Sequence, residues 1–203
     1  MIKAIIFDWG GVLINNPADD LMNYCANSLE VNPKELKSVF SKYVEEFQKG
    51  LLLEKDLWEK VCNELKIAQP TTNSLWKEAV INVFTDKKEV YSLVKKLKTS
   101  GYKIGFLSNT EIPTTEYFYD NGYDKYFDEK IFSCIEKTTK PEKRIYDIAL
   151  EKLGIQPNEA IFIDDNQEYV KGATQVGICG IIFKTPNQLK KELTKFKIKI
   201  NKN

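Results

Sequence analysis

Chemistry in this 203-residue chain has to be done without histidine, because the sequence contains none. That absence removes Ser-His-Asp and Cys-His catalysis, phosphohistidine chemistry and imidazole-held metals. Carboxylates, Lys, Tyr, Ser, Thr and Cys are left for nucleophilic and acid–base work. The cysteines, Cys25, Cys62, Cys134 and Cys179, are widely spaced and form no CxxC pair. They read as reduced, mostly buried small hydrophobes, not as a disulfide frame or zinc site. The carboxylates carry more. Asp8 ends the apolar run Ala4–Phe7, with Gly10 and Gly11 just beyond, and the pair Asp164-Asp165 closes a second run, Ala160–Ile163. Between them in the chain, Ser108-Asn109 closes the stretch from Lys103 to Leu107, and Lys140 stands before a helical pattern.

These residues make a chemical set. Taken singly, Asp8 reads either as the cap of a turn or as a nucleophile or metal ligand. The two glycines let the backbone turn sharply and bring its N–H groups close to an anion. Ser108 adds a hydroxyl donor and Lys140 a cation, while Asp164-Asp165 is an acidic pair able to hold a divalent ion. With no imidazole in the chain, such an ion is held by carboxylates and carbonyls, which suits a hard cation, Mg²⁺. Nucleophile, donor, cation and metal pair are the parts phosphoryl transfer needs.

The surrounding pattern has to bring them together. Short uninterrupted apolar runs ending in polar residues are strands buried on both faces, as in a parallel sheet. From Asp86 onward, strands at 103–107, 130–134, 160–163 and 178–183 alternate with helical stripes, which predicts a doubly wound, mostly parallel α/β fold. All strand C-termini of such a sheet share one edge, where open α/β folds bind ligands. Between residues 16 and 85 there is no strand. Four apolar stripes at helical spacing follow one another there, the second running from a capping Asn32 with Pro33 at the first helical position to near Gly50. We expect an α/β core of residues 1–15 and 86–203, with residues 16–85 inserted as a helical bundle.

In this order the stretches FDWGGVL, LSNT, the Lys of TTKPEKRIY, and IFIDDN resemble the four motifs of the haloacid dehalogenase superfamily. The resemblance covers the whole chain, and residues 16–85 match that family's helical cap. It implies that Asp8 attacks phosphorus and becomes an aspartyl phosphate. Ser108 then bonds the phosphoryl group, Asn109 helps through its backbone, and Lys140 bonds a phosphoryl oxygen and the Asp8 carboxylate. Trp9 and Gly10 join Ser108, Asn109 and Lys140 in the implied phosphate site. Asp165, Asp8 and the carbonyl of Gly10 would ligate Mg²⁺, with Asp164 as an outer or alternate ligand. One position departs from the pattern. Family phosphatases usually carry a second Asp two residues after the nucleophile as general acid, and this chain has Gly10. Bacterial α-glucose-1-phosphate phosphatases resemble it there. Dehalogenases resemble the chain at Ser108-Asn109, but usually carry an aromatic residue where Gly10 stands.

Composition bounds the partners. Thirty basic and 29 acidic residues leave a formal charge of +1, so no global field favours nucleic acid or a membrane surface. No apolar stretch approaches a membrane span and no signal-peptide pattern opens the chain, so a cytoplasmic protein is expected. The Lys-rich end from Lys184 reads as a solvated amphipathic helix from about Asn187 with a frayed end. The expectation is a Mg²⁺-dependent phosphatase of a small phosphorylated metabolite, a sugar phosphate among the candidates. The alternatives are a phosphate- or partner-binding module that kept the fold, and a 2-haloacid dehalogenase.

Overall fold

The computed structural model describes residues 1–200. Its five strands are β1 (Ala4–Phe7), β2 (Lys103–Ser108), β3 (Glu129–Phe132), β4 (Ala160–Asp164) and β5 (Cys179–Ile182). They form one sheet in the order β3-β2-β1-β4-β5, and every pairing is parallel. The expected α/β architecture is therefore present. Side chains alternate across each strand, so Ile5 and Phe7 enter one apolar cluster while Ala4 and Ile6 enter another on the opposite face. The first cluster is completed by α6 (Lys88–Thr99), α7 (Ile112–Asp120) and α11 (Pro186–Lys195). The second is completed by α9 (Lys143–Leu153) and α10 (Gln167–Gln175). The chain runs from β1 outward to β3 and then crosses back to β4 beside β1. That reversal is a switch point, and it opens a crevice at the carboxyl ends of β1 and β4.

Between β1 and α6 lie α1 (Ala18–Ser28), α2 (Pro33–Phe40), α3 (Val44–Gln48), α4 (Glu54–Leu65) and α5 (Leu75–Val83), packed around an apolar cluster of their own. The chain leaves and re-enters this bundle at one place. Ile14 and Asp86 form an antiparallel bridge, Asn15 N–H donates to the Thr85 carbonyl at 2.9 Å, and Lys87 N–H donates to the Leu13 carbonyl at 2.8 Å.

Three elements differ from the sequence expectation. The long second helix is two, because Lys42 and Tyr43 bond back only three residues, to Val39 and Phe40, and end α2. Both side chains bond Glu64 on α4, a tertiary contact that the apolar stripe does not encode. The third strand stops at Phe132 and Cys134 lies in a short helix, α8 (Ser133–Glu136). There the buried Ser133 hydroxyl accepts from Thr110 N–H at 2.8 Å and donates to the Gln48 carbonyl at 2.6 Å, in place of a strand ladder. The C-terminal helix is more than a solvated face. Leu189 and Leu193 are fully buried under the sheet and Ile198 packs with them. The remaining end, 201–203, lies outside the described residues.

Candidate active site

The sheet edge gathers the four motifs. Asp8 directly follows β1, with its N–H donating to the Ile163 carbonyl at 2.9 Å, which locks it beside the end of β4. Asp164 is the last residue of β4 and is wholly buried. Lys140, 3% exposed, places its Nζ 2.6 Å from Asp8 Oδ1 and 2.6 Å from Asp164 Oδ2. The rings of Phe162 and Tyr169 lie 5.4 and 5.0 Å from that ammonium. Asp165 reaches the same place across Gly11: a Cβ built on Gly11 would stand 2.0 Å from Asp165 Oδ2. Gly11 also has φ of +78°, so both backbone and space require glycine there.

Electrostatics follow from burial. Two buried carboxylates face one buried ammonium. Burial alone would lower the Lys140 pKa, but the charges of Asp164 and Asp8 outweigh it and keep the ammonium on. The surplus negative charge falls on Asp8. Burial first, then the Asp164 carboxylate, push its pKa up to about 7 against the pull of Lys140. Burial and Asp164 likewise raise Asp165. One oxygen from each of Asp8, Asp164 and Asp165 lies within 4.8 Å of the others. An all-oxygen, net-negative set of this kind fits a hard divalent cation.

Two of the implied phosphate residues also have structural contacts of their own. The Trp9 side chain is turned into the core, with its ring 5.2 to 5.6 Å from those of Phe84, Phe106, Phe118 and Tyr123. Its backbone N–H bonds the Asp8 carboxylate. The Asn109 side chain holds the backbone of Lys140. It accepts from Lys140 N–H at 2.8 Å and donates to the Lys140 carbonyl at 3.0 Å, clamping the lysine's backbone from both sides. Ser108 Oγ makes only a long 3.5 Å contact, to the Asn109 carbonyl. Gly10 faces the crevice, and a Cβ there would meet nothing closer than Pro17 Cδ at 3.4 Å.

Above these groups the bundle closes a cavity of about 600 Å³, within the usual range for small-molecule sites. Its bundle-side lining includes Leu21, Met22, Phe40, Val44 and Trp76. Glu111, just beyond the second motif, lines it too, and sequence reasoning missed it. At the start of a helix a carboxylate looks like a terminus residue, and nothing local shows that Gln48 and Trp76 come to meet it.

A family model described as haloacid dehalogenase-like hydrolase matches residues 2–177. The chain belongs to that family. The sesquiterpene phosphatase of Aspergillus oryzae is 26% identical over 182 residues, covering 88% of this chain and 88% of that protein. Acyl-CoA dehydrogenase family member 10 of the mouse is 27% identical over 201 residues, and this chain spans only 19% of its length. A HAD family enzyme from Bacteroides thetaiotaomicron, solved with magnesium and inorganic phosphate, has a TM-score of 0.76 at 23% identity, covering 91% of this chain and 95% of that one. L-2-haloacid dehalogenase from Xanthobacter autotrophicus gives 0.66 at 21% identity, covering 98% and 85%. At these identities the structural likeness is one of fold. Among the described residues, no helix is long and apolar enough to cross a membrane.

Proposed function

We propose that this chain is a magnesium-dependent phosphatase of a small phosphorylated metabolite, with Asp8 as nucleophile and the helical bundle of residues 16–85 as its cap. The observation that carries the reading is Lys140 Nζ at 2.6 Å from both Asp8 and Asp164, on adjacent strand ends at the sheet's switch point. Such an arrangement aims a carboxylate and holds a positive charge where an incoming phosphoryl group needs one. Magnesium, held by Asp8, Asp165 and the Gly10 carbonyl, would neutralise charge on the transferred group. An Asp8 carboxylate oxygen forms a bond to phosphorus as the bond from phosphorus to the alcohol oxygen breaks. The departing oxygen takes a proton from water, since Gly10 has none to give. Water then attacks the aspartyl phosphate and releases phosphate, restoring Asp8. Lys140 and Ser108 bond the phosphoryl oxygens throughout, and Trp9 N–H holds Asp8 in line. The bundle shields these steps from bulk water.

The family includes several relatives named as phosphatases, which supports this reaction over others. The dehalogenase reading draws on Ser108-Asn109 and on the (S)-2-haloacid dehalogenase 4A of Burkholderia cepacia, 30% identical over 105 residues. The acidic, net-negative crevice favours phosphate chemistry with a metal over attack on carbon. Phosphate release from an aryl phosphate and a sugar phosphate, with and without Mg²⁺, tests the proposal. Metal-dependent turnover that Asp8→Asn abolishes is expected. Halide release without phosphatase activity, or turnover untouched in Asp8→Asn, overturns it. A fluoroberyllate adduct on Asp8 in a crystal would show the nucleophile directly.

A further inference from the structure

A phosphoryl group in transfer spreads negative charge over its equatorial oxygens, and the donors of the crevice can be matched to them. An ammonium has three N–H bonds. On Lys140 two of them reach Asp8 and Asp164, which leaves one for an incoming oxygen. The Ser108 hydroxyl, with only its long contact to the Asn109 carbonyl, supplies another. A second hydroxyl lines the same crevice from outside the four motifs. It belongs to Tyr169, in the first turn of α10, half-buried with its ring 5.0 Å from the Lys140 ammonium. The Tyr169 backbone carbonyl accepts from the Tyr146 hydroxyl at 2.7 Å, which holds that turn against α9. Burial raises the pKa of the Tyr169 hydroxyl, while Lys140 and a hydrogen bond from the Asn109 side chain pull the other way. The phenol thus keeps its proton near neutral pH, with its oxygen already engaged as an acceptor. Among the described residues none accepts that proton. A hydroxyl held in this way is a donor fixed in advance of the charge it meets.

We propose that Tyr169 is a further catalytic residue, whose hydroxyl donates to an oxygen of the transferred phosphoryl group beside Lys140. The inference rests on the phosphatase reading for the presence of that group over Asp8, and it adds a donor that none of the four motifs contains. Tyr169 keeps its O–H bond throughout. As the bond from Asp8 to phosphorus forms and the bond to the alcohol oxygen breaks, the hydroxyl shares its hydrogen with an equatorial oxygen. The departing oxygen still takes its proton from water.

Tyr169→Phe removes the hydroxyl, keeps the ring beside Lys140 and leaves the backbone carbonyl for Tyr146. In the whole chain with Mg²⁺, kcat/KM should fall about tenfold to a hundredfold, the scale of one hydrogen bond to a charged oxygen. The fall should be equal on an aryl phosphate and on glycerol phosphate, because the phosphoryl group is common to both. An unchanged kcat/KM overturns the inference and leaves the phosphatase reading standing. A loss confined to glycerol phosphate also overturns it, since that pattern belongs to a proton donor for the departing oxygen. A crystal of the unaltered chain with Mg²⁺ and fluoroberyllate needs no variant. There Tyr169 Oη should lie within about 3.2 Å of a fluorine, and a separation beyond hydrogen-bond reach overturns the inference. If the unaltered chain turns over no ester, the phosphatase reading falls, and calorimetry with inorganic phosphate and Mg²⁺ decides the contact by itself. Weaker phosphate binding in Tyr169→Phe then keeps the contact, and equal binding removes it.

Discussion

Gly10 sits where a proton donor for the departing oxygen is usual, and the structure has space for one. A Cβ at that position would make only an ordinary contact, 3.4 Å from Pro17 Cδ. Gly10→Asp should therefore raise kcat on alkyl phosphates by about 10²–10⁴-fold, the usual worth of a general acid, and do much less for an aryl phosphate, whose oxygen departs without help. Steady-state rates on the two ester classes check this. Asn109 makes a second case. Asn109→Ala removes both clamps on the Lys140 backbone and should cost about 1–3 kcal/mol in urea unfolding, with kcat falling more than KM rises. Asp8 and Asp164 could be found without coordinates, because each ends a buried apolar run and the strand edge does the rest. The Asn109 clamp could not, since it joins side chain to backbone across 31 residues. Glu111 was hidden for the same reason, its partners coming from elements whose placement no local pattern fixes.

Where elements meet, the seam between bundle and sheet includes polar ties. Ser133 is wholly buried and bridges Thr110 and Gln48. Ser133→Ala should destabilise the chain by about 1–3 kcal/mol, because it leaves the Thr110 N–H and the Gln48 carbonyl without that partner. Denaturant melts check it. A second tie runs from Lys49 of the bundle to Glu142 before α9, at 2.8 Å. Lys49 first, then Thr138 and Thr139, hold the Glu142 carboxyl down to about 2. A depressed acid stabilises the fold above its unfolded value and loses that contribution as pH falls through the folded one. The tie should thus persist through mildly acidic pH and fail only near pH 2, and Lys49→Met should return the carboxyl midpoint toward the ordinary range by NMR titration. The strands were legible from apolar runs because both sheet faces are covered. The break between α2 and α3 was not, and the contacts Lys42 and Tyr43 make there, with Glu64 on another helix, are not encoded in the local stripe.

For the molecule as a whole, three clustered carboxylates and one ammonium leave the folded state with unrelieved negative charge at the sheet edge. A divalent ion bound there stabilises only the folded chain. Magnesium at 100 times its dissociation constant should add about 2.7 kcal/mol, visible as a rise in Tm, and Asp165→Asn should remove most of the effect. The bundle and the sheet are joined by two adjacent strands of chain. The backbone enters the bundle at Asn15 and comes back at Thr85 with those residues hydrogen-bonded to each other at 2.9 Å. A tight turn spliced between them would bypass the bundle altogether. The carboxylates at the strand ends and the bundle-side part of the cavity wall thus occupy separate stretches of chain. On the proposed reading, replacing that one continuous run should alter which phosphate esters are turned over, with the strand ends left as they are.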